Sequence, residues 1–150
     1  AFLKNKNYSE SGIGMFMKRN WNAYAKILAV IAVLFLMAGG WILARRRANI
    51  TEAAKLPFYN VELSEVEDGE YYGKTYTSFL HLQLKVFVQN HTITNIEVIE
   101  SEGIDSETAK PILQDMIAQN KVVVKAIKGA ELGSLVYISC VDGALYNGKL

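Results

Sequence analysis

The sequence predicts an α+β protein with a single N-terminal transmembrane helix followed by a small antiparallel sheet with helices packed on one face. Three patterns in the 150-residue chain predict this class. An apolar run covers residues 24–44, apolar and polar residues alternate through 80–89, and further helical periodicity follows at 106–119 and 132–145. Strands followed by helices give the order of a compact α+β domain.

The apolar run is the first structured element expected along the chain. Residues 1–22 are polar and predict an N-terminal tail, and residues 23–44 predict the transmembrane helix. About 20 apolar residues are needed to cross the hydrocarbon core of a bilayer, and Lys26, the one charged residue in the run, lies near its edge. Aromatic residues of the kind found at membrane interfaces lie near the two ends: Trp21, Tyr24 and Trp41.

A cleaved signal peptide is the alternative interpretation of the run. The apolar core of a signal peptide has about 7–15 residues and is followed by a small-x-small cleavage site. Here the run is longer, and Arg45-Arg46-Arg47 follows it, so we expect a retained anchor. Charge leaves the orientation open, because Lys and Arg residues flank both ends of the run.

Charge is distributed unevenly along the chain although the net charge is +1. Residues 1–56 carry nine Lys or Arg against two Glu, whereas residues 57–104 carry two Lys against eight acidic residues. The basic start beside an apolar run favours contact with the lipid bilayer, and the acidic middle argues against nucleic acid as a partner. Cys140 is the single cysteine, so no internal disulfide and no cysteine metal site are expected.

Residues 45–67 predict a stalk and linker between the membrane helix and the soluble domain. Residues 45–55 can continue the helix, and Pro57 ends it because the residue before a proline is disfavoured in helical conformation. The linker is polar and acidic, with scattered apolar residues: Phe58, Val61, Leu63 and Val66.

Residues 69–100 predict a three-stranded antiparallel meander. The strands are expected at 69–77, 79–89 and 92–100, and the second has the clearest period-two alternation. A tight turn is expected at 89–91, because Asn90 tolerates a positive φ.

Residues 106–147 predict helices around one further short strand. A helix is expected from Ser106 to Gln119 or, if it begins only at the proline, with Pro111 in the first helical position. Val122–Val124 predicts a short buried strand. A last helix is expected over about 132–145 with one apolar face, and residues 147–150 predict a C-terminal tail.

Four segments in order resemble the FMN-binding domain family. They are Asp68-Gly69-Glu70-Tyr71-Tyr72-Gly73, the strand and Ile-x-x-Ile-x-Val segment of 82–98, the helix end at 116–119, and residues 125–134, Lys-Ala-Ile-Lys-Gly-Ala-Glu-Leu-Gly-Ser. The last resembles the family's flavin-attachment signature, Asp-x-x-Ser/Thr-Gly-Ala-Thr-x-Thr/Ser-Ser. The resemblance covers residues 68–146 and implies an FMN cofactor, electron transfer and a domain outside the cytoplasm.

The resemblance implies a cofactor-binding set at the start of the last helix: Lys128, Gly129, Ala130, Glu131, Leu132 and Ser134. In the family, a flavin transferase joins FMN through a phosphoester to a threonine of the signature, beside a helix N-terminus that favours an anion. This sequence has Glu131 at that threonine, Lys125 at the family's Asp, Lys128 at its Ser/Thr and Gly133 at its second hydroxyl residue. Glutamate has no hydroxyl to esterify, so covalent flavin is not expected; Lys125 and Lys128 leave noncovalent FMN open.

Two functional hypotheses follow from the resemblance and its departures. The first is a membrane-anchored FMN-binding-type domain of extracytoplasmic electron transfer without covalent flavin, acting as an electron carrier or accessory subunit within a membrane redox complex rather than as a catalyst. The alternative is a non-redox interaction or structural subunit at the membrane surface. A third, weaker hypothesis is a sensor domain that binds a different anion near Gly129.

Overall fold

The computed structural model describes the backbone of residues 11–148 and the side chains of residues 21–148. The chain divides into two compact units between Arg45 and Arg46. The fold class is α+β as predicted, with a long apolar helix, a three-stranded antiparallel sheet and further helices.

The first helix, α1, runs over Ser11–Ala53 and is longer than the predicted transmembrane segment at both ends. Residues 11–22, which the sequence assigns to a tail, are part of this helix, whereas residues 1–10 lie outside the described residues. Its part from Trp21 to Ala53 is long and apolar enough to cross a membrane, and none of its most apolar 18 residues is buried. A signal sequence near an N-terminus can have the same length and composition.

The C-terminal end of α1 belongs to the second unit. Ala53 is buried in the core of that unit, and the Glu52 carboxylate accepts hydrogen bonds from the backbone amide and the hydroxyl of Ser78. The segment after it, predicted as a linker, also contributes to this core through Leu63 and Val66. Residues 46–67 therefore fall within the second compact unit.

The sheet is the predicted meander, with strands β1 (Gly69–Tyr76), β2 (Leu80–Gln89) and β3 (Thr92–Gly103) in that order. The turn between β2 and β3 has two central residues with positive φ, Asn90 at 52° and His91 at 57°. Two such residues give a turn whose twist matches that of the flanking strands. The inward face of β2 is buried as its alternation predicts, with Leu82, Leu84 and Val86 fully inaccessible.

Three helices complete the domain: α2 (Ser106–Ala109), α3 (Ile112–Gln119) and α4 (Glu131–Asn147). They pack on one face of the sheet, α4 against β1 and β2, and α3 against β3. A single helix from Ser106 is wrong, because the chain turns at Lys110 and Pro111 and α3 begins only after the proline. Proline has no N–H for an interior helical hydrogen bond, which favours such a break.

The predicted strand at Val122–Val124 is wrong. Val122 and Val124 are buried, but Val123 is 54 % exposed and the segment pairs with no described strand. Asn120 ends α3 at a φ of 47°, and its side-chain oxygen accepts a hydrogen bond from the Ile93 amide of β3. The Asn120 side chain therefore bonds that backbone amide of β3, and Val122 and Val124 are buried without joining the sheet.

The last helix is more deeply buried than the predicted single apolar face implies. Eleven of the 17 residues of α4 are buried, polar ones among them: Ser134, Ser139 and Asp142. Gly73 of β1 lies so close to α4 that a Cβ atom added to it would be 2.6 Å from the Cys140 carbonyl oxygen. This helix is the centre of the domain, and its N-terminal end carries the predicted site.

Candidate functional site

The predicted flavin signature forms a tight turn that leads into α4. The Ala130 amide donates to the Ile127 carbonyl oxygen at 3.0 Å, and Gly129 between them has a φ of 86°. A residue with a Cβ is strained at that φ even though the space around Gly129 is open. Gly129 and Ala130 therefore form the turn, and α4 begins at Glu131.

Glu131 closes this turn with its own carboxylate. Its Oε1 accepts a hydrogen bond from the Gly129 amide at 2.9 Å. The pKa of Glu131 is lowered from its usual value by this hydrogen bond, then by its own backbone amide and by the charge of Lys128. Glu131 is ionised at neutral pH, and a negative charge in the first turn of a helix is stabilised by the helix dipole. The chain itself therefore supplies a negative charge at the start of α4.

The remaining residues of the predicted set have structural or solvent-facing positions. Ser134 is fully buried, and its Oγ accepts a hydrogen bond from the Ile127 amide at 2.9 Å. Ala130 is buried and Leu132 is half-buried against the core. The Lys128 side chain is exposed. The structure brings the six residues together in one turn, where one hydroxyl is buried and one carboxylate faces the amides.

These residues do not fit covalently attached FMN. A phosphoester needs an accessible hydroxyl, and the one hydroxyl of the predicted set, on Ser134, is buried inside the turn. A phosphate near Gly129 would meet the ionised Glu131 carboxylate at a few ångströms, where like charges repel. A hydroxyl residue at position 133 is also blocked, since a Cβ there would lie 2.8 Å from the Ala109 Cβ and 3.0 Å from the Asp105 carbonyl oxygen.

A second polar constellation, missed in the sequence, joins α4 to residues 57–61. Asp142 is fully buried, and its carboxylate accepts hydrogen bonds from three consecutive amides, those of Tyr59, Asn60 and Val61. The bonds from Asn60 and Val61 measure 3.1 and 2.9 Å, and Asn60 has a φ of 53°. The one available signal was an acidic residue in the middle of a largely apolar helix, since a carboxylate needs a partner when it is buried.

Two further contacts hold the same segment against α4. The Ser139 hydroxyl donates to the Pro57 carbonyl oxygen at 2.8 Å. The rings of Tyr59 and Tyr146 stack with centroids 4.0 Å apart and an interplanar angle of 6°. We call residues 57–61 the strap, because it crosses α4 and is fixed there by polar groups of the helix.

Three clefts of about 550, 490 and 420 Å³ lie along the strap and the residues that follow it. The largest is bordered by residues 60–64, His91 and residues 120–123. The second is bordered by the strap, β1 and Cys140, and burial raises the pKa of the Cys140 thiol to about 12. None of the three is lined by a residue of the predicted flavin signature.

Comparisons of the chain with protein-family models, with curated proteins and with solved structures found no match. The resemblance to the FMN-binding domain family therefore stays a prediction from the residues of 68–146. What the geometry adds is a turn already closed by Glu131 and a deeply buried helix that holds the strap.

Proposed function

We propose that this chain is a membrane-anchored accessory subunit, whose second unit is an interaction or structural module at the membrane surface and carries no covalent flavin. The observation that supports this most directly is the hydrogen bond from the Gly129 amide to the Glu131 carboxylate. This carboxylate gives the helix start a negative charge without a ligand. On this proposal the turn retained from a flavin-binding ancestor now has a structural role.

The second candidate is a noncovalent FMN domain of extracytoplasmic electron transfer, with subunits of a membrane redox complex as partners. It is supported by the exposed side chains of Lys125, which precedes the turn, and Lys128, which lies in it, and by the ordered resemblance over 68–146. Two lysines can attract a phosphate, but the negative charge of Glu131, the first residue of α4, opposes it. For this reason we rank it below the accessory subunit.

We also propose that α1 is a retained anchor with the second unit outside the cytoplasm. The length and exposed apolar surface of α1 support the anchor, and the family resemblance supports the side. An N-terminal tag still attached to the membrane-bound chain is the expected result, and a tag lost by cleavage would identify a signal peptide. Protease digestion in sealed membrane vesicles shows on which side of the membrane the second unit lies.

The flavin question is tested by producing the full chain together with a flavin transferase and FMN. We expect the protein purified in uncharged detergent to lack flavin absorbance. Flavin that stays with the pellet after acid precipitation would contradict the accessory-subunit proposal and our interpretation of Glu131. Flavin released into the supernatant would favour the noncovalent carrier.

Two variants test whether Glu131 occupies the attachment position. Glu131→Thr alone is expected to stay unlabelled, because Lys125 and Lys128 also depart from the signature. The triple variant Lys125→Asp, Lys128→Ser and Glu131→Thr restores three residues of the signature. It leaves Gly133 unchanged, because a Cβ added there would clash with Asp105 and Ala109. Labelling of the triple variant supports the alignment, and labelling of Glu131→Thr alone contradicts our prediction for the single variant.

A further inference from the structure

The cleft of about 420 Å³ has an aromatic wall made by the stacked pair Tyr59 and Tyr146. The two rings remain 42 % and 57 % exposed, although they face each other at 4.0 Å. A parallel stack covers one face of each ring, and the two uncovered faces point away from each other, so that one of them, not both, can face this cleft. We call this space the tyrosine cleft; Val61, Val66 and Leu145 form part of its apolar floor.

The charged side chains along the tyrosine cleft are all acidic. Glu62, Glu65 and Glu67 line it, and no Lys or Arg is among its described lining residues. The cleft therefore combines an aromatic ring with a negative potential.

We propose that the tyrosine cleft binds an organic ammonium cation. The negative face of an aromatic ring attracts a cation, and a tyrosine contact of this kind strengthens binding about two- to fivefold at an exposed site. An anion would be repelled by the carboxylates, and a neutral apolar ligand would gain nothing from them. A metal ion prefers carboxylate and carbonyl oxygens and does not need the rings. The volume is within the range of small-ligand sites, which is about 300–1,000 Å³.

This inference goes beyond the proposed function and does not depend on it. The flavin signature contributes no residue to the cleft, so the presence or absence of flavin leaves the cation site unchanged.

The test is a titration of the full chain in dodecyl maltoside micelles, whose headgroup is uncharged, followed by ligand-observed NMR. Choline is the probe, and its neutral isostere 3,3-dimethyl-1-butanol is the matched control. We expect saturable choline binding with a Kd of about 1 mM and at least about fivefold weaker binding of the isostere. Equal binding of both, or no saturation by choline at about 20 mM, overturns the proposal.

Variants separate the ring face from simple apolarity. Tyr146→Phe keeps an aromatic face and is expected to leave the Kd of choline within about twofold, whereas Tyr146→Leu weakens binding about fivefold. Glu62→Gln and Glu65→Gln should each weaken it about two- to threefold, more at low salt, while Glu97→Gln on β3 should not. An unchanged Kd in Tyr146→Leu, with the thermal transition also unchanged, contradicts the site.

An ammonium group reaches the cleft either as a free molecule or as a lipid headgroup. Repeating the titration in nanodiscs of phosphatidylglycerol and of phosphatidylcholine distinguishes the sources. Equal affinity for free choline in both supports a free cation, and loss of affinity in phosphatidylcholine supports a choline headgroup in the cleft. Both results keep the ammonium site.

Discussion

The two longest helices, α1 and α4, are both rich in apolar residues but have opposite surroundings. In α1 the large side chains of the apolar run are exposed, for example Leu34 at 60 % and Phe35 at 75 %. In α4 the corresponding side chains are inaccessible, Val136 and Val141 both at 0 %. Removing apolar side chains from water is favourable, and α4 does so within the second unit, whereas the apolar run of α1 is exposed in the structure.

The two helices also differ in where their polar residues lie. The apolar run of α1 has its one charge, Lys26, near an end, so its middle contains nothing that needs a partner in hydrocarbon. The middle of α4 contains Ser139 and Asp142, and each is bonded to backbone groups of the strap. Fixed polar partners of this kind are what a protein core supplies and a bilayer does not.

The same arginine substitution in the two helices should have the most different consequences. Val141→Arg places a charge in the centre of the core, and we expect it to cost more than about 4 kcal/mol and unfold the second unit. Leu34→Arg should leave that unit folded but weaken membrane insertion, by about 3 kcal/mol if the helix spans a bilayer. Circular dichroism and near-ultraviolet spectra report the fold, and carbonate extraction of membranes reports insertion.

Leu34→Phe and Val141→Ile serve as size controls, and neither should prevent folding or insertion. If Leu34→Arg remained fully in the membrane pellet after carbonate extraction, α1 would not be the anchor that we propose.

Removal of the buried carboxylate of α4 should have the next largest effect. Asp142→Ala leaves the amides of residues 59–61 without their acceptor, and we expect a loss of about 2–4 kcal/mol in the free energy of unfolding. Hydrogen exchange at residues 57–61 should increase selectively, because the strap loses its fixed point on the helix. Urea unfolding of the full chain in uncharged micelles gives the energy.

Asp142→Asn keeps one oxygen acceptor but turns an NH₂ group toward the amides, so we expect it to be destabilised nearly as much. Asp115→Asn makes the same change on the exposed side of α3 and should alter stability by less than about 0.5 kcal/mol. Similar exchange rates at residues 57–61 in the wild type and Asp142→Ala would show that the strap is held by other contacts.

The meander and the candidate turn were predictable because their signals are local. The alternation of β2, the positive φ at Asn90 and the turn before α4 all follow from neighbouring residues. The strap was not predictable, because Asp142 binds amides 81 to 83 positions away and amides leave no trace in a sequence. The valines of 122–124 have strand propensity, but Val122 and Val124 are buried by packing rather than by strand pairing, and Val123 is exposed.

Replacing one glycine by alanine in each helix compares α1 and α4 by the effect of a single added methyl group. Gly133 of α4 is in contact with α2, and a Cβ there would be 2.8 Å from the Ala109 Cβ and 2.9 Å from the Asp105 Cβ. We expect Gly133→Ala to cost about 1–3 kcal/mol in urea unfolding. A Cβ added at Gly40 of α1 would meet no atom within 4 Å, so Gly40→Ala should not destabilise the chain.

Ala109→Gly removes the closest obstructing atom and should recover part of the loss in Gly133→Ala. A loss of stability in Gly40→Ala comparable with that in Gly133→Ala would mean that α1 is packed closely against another helix, as in a small-residue dimer.

The smallest effect should be a loss of stability at alkaline pH, which follows from the burial of α4. Burial raises the pKa of the Cys140 thiol from 9.0 to about 12, and burial also raises the pKa of Tyr137. Above pH 9 the unfolded chain releases the thiol proton while the folded chain keeps it, so the unfolded state binds fewer protons and stability falls as pH rises toward 12. We expect a decrease of about 1 kcal/mol per pH unit near pH 10–11, measured by urea unfolding.

Cys140→Ala removes this titration at the cost of a small cavity, so its absolute stability is lower but its decline between pH 9 and 11 should be shallower than that of the wild type. Tyr137 still titrates in this variant, which leaves a residual slope in the same direction. Equal slopes in the two proteins would mean that the Cys140 thiol is accessible to solvent in the folded state. In that case the environment of α4 at its centre would resemble the exposed surface of α1 more than a closed core.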